Sequence, residues 1–145
     1  VALYGAKTYF QSHTPPERLE DLKTHQYVML TRYPPSFTWF DWLAEQVPEP
    51  QTGILLNHPQ GISAAVKAGF GLGFLSYLEA SHDDSLQLAW PAQERWKSPL
   101  WLLVHRDRYR EAKIQAFIQF FKSVIQPAMR AELAYQDAGD KGPVL

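Results

Sequence analysis

Apolar positions along this chain follow two periods, and their alternation predicts the elements. In "FTWFDWLAEQV" (37–47), Phe40, Leu43, Ala44 and Val47 fall on one helical stripe, with Trp39 and Trp42 flanking it. Ser36 is placed to cap that helix, and "PEPQ" ends it. In "GISAAVK", Ile62, Ala65 and Val66 repeat the helical spacing. In "YREAKIQAFIQFFKSVIQ" (109–126), Ile114, Phe117, Ile118, Phe121 and Ile125 share one side, and Pro127 should end or kink the helix.

Short apolar runs between these helices read as strands: 1–5, 26–32, 52–57, 73–76, 86–91 and "PLWLLVHR" (99–106). "AKTYFQS" and "YLEASH" read as short helices, residues 13–25 as a polar link with a helical turn at Leu19 and Leu22, and "QERWKS" as a loop. Strands alternating with helices predict an α/β fold, a mixed and mostly parallel sheet flanked by helices. In such sheets small ligands bind beyond the carboxyl ends of the strands.

Three glycines in "KAGFGLGF" (67–74) suggest a phosphate loop, but the order is wrong. A phosphate loop leaves a strand and opens a helix. Here a helix ends and a strand begins. Gly69 therefore reads as a helix C-cap at positive φ, and no phosphate is expected there.

The apolar fraction, 46%, suffices for a core, and a net charge of −1 argues against a free-standing nucleic-acid binder. No apolar run is long enough to span a membrane. The absence of cysteine excludes disulfides and thiolate chemistry, and fits a cytoplasmic setting. The five histidines form no H-x-x-x-H pair, so neither metal nor cofactor is expected. No G-x-S-x-G occurs, and no catalytic constellation is present in the sequence.

Two loops remain, each directly after a strand. "TRYPPSFT" offers a cation in Arg32, hydroxyls in Ser36 and Thr38, and an aromatic wall in Tyr33 and Phe37. "LLNHPQG" opens a helix, with Asn57 or His58 available as cap and Pro59 in the first turn. Free amides and the helix dipole at that end favour an anion. Convergence of the two loops would make a small pocket with polar ends and apolar sides.

The order of motifs over residues 1–126 resembles LysR-type transcriptional regulators. "VALYGAKTYFQSHTPPERLEDLKTHQYVML", with Tyr9, Pro16, Asp21, Leu22 and His25, is similar to the opening of their second effector-binding subdomain. "GISAAVKAGFGLGFLS" resembles the family's "AV-x-AG-x-G" segment, with Ser76 where proline is usual, and "PLWLLVHRDRYREAKIQAFIQFFKSVI" its closing strand and helix.

The resemblance implies one subdomain of a type 2 periplasmic-binding-protein fold that senses a small, often anionic, metabolite. Residues 1–98 would be the second subdomain, 99–135 the strand and helix returning to a largely absent first one, and 136–145 a flexible tail. Ser36, Phe37 and Thr38 match a loop that touches effector in some members, and Asn57 and His58 match a loop facing the cleft. DNA would be contacted only through an N-terminal helix-turn-helix absent from this chain.

A periplasmic solute-binding protein or a fragment of an α/β enzyme is the alternative, to be told apart by the segment before Val1. With the first subdomain missing, as the resemblance implies, leaving the five-residue stripe of the last helix in water would forfeit roughly 7–15 kcal/mol; the stripe must fold back on this domain, pack against a second copy or disorder, and a homo-oligomer is expected.

Overall fold

The computed structural model describes residues 1–97, 101–127 and 130. The expected tail at 136–145, and the start of the strand expected at 99–106, lie outside them. The chain divides into two compact units, the first comprising Val1–Lys97.

The first unit holds five strands: β1 (Ala2–Ala6), β2 (Gln26–Leu30), β3 (Gln51–Leu56), β4 (Gly73–Leu75) and β5 (Leu86–Trp90). β1 lies between β4 and β5 and is antiparallel to both, with Leu3 opposite Phe74 and Tyr4 opposite Leu88. β2 and β3 form a separate parallel pair. The expected mixed α/β architecture is present, but in place of one mostly parallel sheet there are two small ones, and the larger is antiparallel. All five residues of β1 are buried. A strand covered on both faces reads as a continuous apolar run whichever way it points, so its direction left no mark on the pattern.

Leu72, just before β4, ties the two sheets together. It bridges Tyr27 in parallel, with Val28 N–H donating to Leu72 O and Leu72 N–H to Gln26 O, both at 2.8 Å. From these pairings β2, β3, β4 and β5 all point the same way. Their carboxyl ends share one edge, and β1 begins there.

Three helices accompany these strands: α1 (Thr38–Gln46), α2 (Gly61–Lys67) and α3 (Tyr77–Ala80). α1 turns its tryptophans inward. Trp39, Phe40, Trp42 and Leu43 are buried and Ala44 is exposed, contrary to the expected stripe. Burying an indole removes far more apolar surface from water than burying a methyl group. Trp42 meets Trp96 edge-on at 4.8 Å between ring centroids. Trp96, fully buried, comes from a short 3₁₀ turn (Glu94–Trp96) within a segment expected to be loop. The N-cap of α1 is Phe37 with no side-chain cap, so Ser36 does not fill that role.

α2 buries Ile62, Ala65 and Val66 and stops as expected. Phe70 N–H donates to Ala65 O at 3.2 Å and Gly69 N–H to Val66 O at 2.9 Å, the reciprocal pair of a Schellman motif. Gly69 has φ +81°, where a side chain would be strained.

In the second unit, residues 101–105 form no strand, and Trp101 and Leu103 are exposed. A strand exists only as a pairing, and no described segment pairs with this one. α4 (Ala112–Phe120) passes into a π-helical turn at Phe121–Ile125. Helical structure continues through Pro127, which therefore does not end it there. The widened turn lies directly upstream of this proline, whose missing N–H and bulky ring disturb the preceding turn. Of the expected stripe, Ile118 is buried, Ile114, Phe121 and Ile125 are half-buried, and Phe117 is exposed.

Candidate functional site

At the shared carboxyl edge, the loops after β2 and β3 leave side by side. Thr31 fixes their departure, donating to Leu56 O from its N–H at 2.8 Å and from Oγ1 at 3.0 Å. Beyond them lies a cleft of about 320 Å³ lined by Val1, Phe37, Trp39, Pro59, Gln60, Ile62, Phe74, Leu75, Ser76 and Glu79. These residues come from the start of β1, the end of β4 and the openings of α1, α2 and α3. One wall is aromatic. Phe37 stacks on Trp39 at 4.6 Å, and Trp39 stands 6.4 Å from Phe74.

The opposite polar corner is a capping box. Ser76 Oγ accepts from Glu79 N–H at 3.2 Å, while Glu79 Oε2 accepts from Ser76 N–H at 3.1 Å and from Ser76 Oγ at 2.9 Å. This spends one carboxylate oxygen of Glu79 and leaves Oε1 without a hydrogen bond among the described residues.

Of the site residues expected from sequence, Phe37 lines this cleft. Thr38 opens α1, but its hydroxyl donates to Arg95 O at 2.6 Å. Arg95 is itself paired to Glu45, Nη2 to Oε2 at 2.7 Å. Arg32, Ser36, Asn57 and His58 are exposed on the two loops and are not among the lining residues. The opening of α2 differs from expectation. Its N-cap is Gln60, without a side-chain cap, so neither Asn57 nor His58 serves. Pro59 sits in a turn before the helix. Gly61 N–H donates to His58 O at 3.2 Å and Ile62 N–H to Pro59 O at 3.0 Å, so two amides that an anion would use are engaged.

Sequence reasoning missed Trp39, Ser76 and Glu79 as lining residues. "SYLE" at 76–79 carries the S-x-x-E signature of a capping box, which could have marked Ser76 and Glu79 as a pair. Nothing local marks Trp39 as lining a cleft as well as packing in the core.

A second cavity, about 400 Å³, lies away from this edge, lined by His13, Thr14, Pro15, Glu17, Asp21, Thr24 and His25. His25 is buried, and its Nδ1 lies 3.2 Å from Tyr9 Oη, which accepts from Gln26 N–H at 3.0 Å. His25 Nε2 is buried and has no hydrogen-bond partner among the described residues. Burial, followed by the nearby His13, lowers the His25 pKa; Asp21 and the Thr14 backbone act in the opposite sense. The amides of Arg18, at 2.9 Å, and Glu17, at 3.1 Å, hold the Asp21 carboxyl below its ordinary pKa. Among the described residues no group of three or more histidines or carboxylates could hold a metal ion. No helix among them is long and apolar enough to cross a membrane.

A search of curated protein sequences returned no match. Residues 2–126 match the family model of the LysR substrate binding domain, and the chain belongs to this family of ligand-sensing domains of LysR transcriptional regulators.

Proposed function

We propose that this chain is the sensing part of a LysR-type regulator and that its small-molecule effector sits in the cleft at the shared carboxyl edge. The observation that supports this most is the convergence there of segments from β1, β4, α1, α2 and α3 on one aromatic-walled space. Ligands of open α/β sheets collect where strand ends leave such a crevice. Phe37 contributes wall, and Pro59 and Gln60 continue the Asn57–His58 loop into the lining. Arg32, Ser36, Asn57 and His58 stand on the same two loops and would meet the parts of the effector that project from the mouth. Thr38 would act through position, since its hydroxyl is committed to Arg95.

In this reading the DNA contact belongs to a helix-turn-helix outside residues 1–145, and the working place is the cytoplasm. The chain self-associates through the exposed apolar side of α4. The test is a thermal-shift screen of small metabolites against the wild type, Phe37→Ala and a control at the opposite end of β2, the exposed Lys23→Ala. Hits should stabilise the wild type and the control, and lose their effect in Phe37→Ala. Stabilisation that survives in Phe37→Ala would place the ligand elsewhere.

A further inference from the structure

We propose that the effector of this cleft is a protonated amine on an aromatic or apolar body, a ligand class opposite to the anion expected from the loops. This rests on the cleft being the effector site. Three features of the lining converge on it. Among the described residues that line the cleft, Glu79 carries the only charged side chain. Its Oε2 is committed to Ser76, but Oε1 is available. An ammonium group at that corner gains a charge-assisted hydrogen bond, whereas a carboxylate there meets a like charge.

The aromatic wall points the same way. The faces of Phe37, Trp39 and Phe74 carry negative quadrupole potential and attract cations. The apolar side chains of Ile62 and Leu75 accept a hydrocarbon body but offer no hydrogen bond to an anion. Lastly, Gly61 and Ile62 at the opening of α2 already donate their N–H groups to His58 O and Pro59 O.

The experiment uses three probes that share one body: phenethylamine, phenylacetamide and phenylacetate. Binding to the 145-residue chain is followed at pH 7 by two-dimensional NMR, which gives both affinity and location. The amine is expected to bind at least tenfold tighter than the carboxylate, with the amide between, and to shift the signals of Phe37, Trp39 and Phe74. In Glu79→Gln the amine should lose that tenfold advantage. Glutamine at this position preserves the capping box, so the variant keeps its fold. Tighter binding of phenylacetate in the same cleft would overturn the ligand class and leave the cleft reading standing. Amine binding with shifts elsewhere would overturn the cleft reading. An amine preference unchanged in Glu79→Gln would remove Glu79 from the account and defeat the proposal. No binding by any probe at millimolar concentration would defeat both.

Discussion

Helices α2 and α4 carry the same kind of sequence signal and meet different fates. In α2 the apolar residues Ile62, Ala65 and Val66 are all buried, and a Schellman turn closes the helix. In α4 the stripe is equally regular, yet Phe117 is exposed, and so are Phe120 and Val124 beside it. Periodicity specifies which face of a helix is apolar. It says nothing about what covers that face. The difference lies in the surroundings, since α2 packs on a sheet that its own unit completes.

The sharpest way to break this comparison is to cut equivalent side chains from the two helices. Ile62→Ala should cost about 2–4 kcal/mol of stability by leaving a cavity in a packed core. Phe117→Ala, measured on the dilute monomer, should cost well under ~1 kcal/mol, because an exposed ring removes little surface from water. Urea unfolding of both variants decides; equal losses would mean that α4 is as well covered as α2. The end of α2 comes next in size. Gly69→Ala forces a side chain to φ +81° and should cost about 1–2 kcal/mol, read as a lower Tm.

A third effect depends on pH. The His25 pKa is lowered in the fold, chiefly by burial, so folding favours its neutral form. The stability this confers is full above the unfolded value, about 6.5, and is lost as pH falls from there toward the depressed folded pKa. Asp21, lowered by the Arg18 and Glu17 amides, contributes stability that disappears only at more acid pH, below about 4. Unfolding free energy measured from pH 8 to pH 5 should therefore fall at the acid end, and the fall should be shallower in His25→Gln. The smallest change in the stability of the dilute monomer is expected from Phe117→Asp, within about 0.5 kcal/mol as for most exposed sites. It should nevertheless shift sedimentation toward monomer. An unchanged sedimentation coefficient would remove α4 from the self-association surface.

The elements were largely legible because each announces itself locally. Gly69 after "AAVKA" is a C-cap by its position, and the positive φ follows. The fold's handedness of pairing was not legible: "VALYG" shows burial on both faces, which is compatible with either strand direction. The candidate cleft was legible in part. Phe37 and the loops after β2 and β3 could be found because they follow strands. Thr38 misled, because the Arg95 carbonyl that takes its hydroxyl is far away in sequence. The inward turn of Trp39 and Trp42 was obscured for a similar reason, since Trp96, which packs against Trp42, sits in an unremarkable polar loop.

The antiparallel placement of β1 between β4 and β5 also has a kinetic consequence. Leu3 pairs with Phe74 on one side and Trp90 on the other, so the central strand of the larger sheet finds its neighbours only near the far end of the unit. Contacts so distant in sequence incur loop-closure entropy before they return any stabilisation, which slows folding. On a ribosome, β2, β3 and α2 can assemble while β1 still waits, an adhesive ribbon without partners. Refolding should therefore show early protection of the β2–β3 amides and late protection of β1. Pulse-labelling hydrogen exchange can read that order directly.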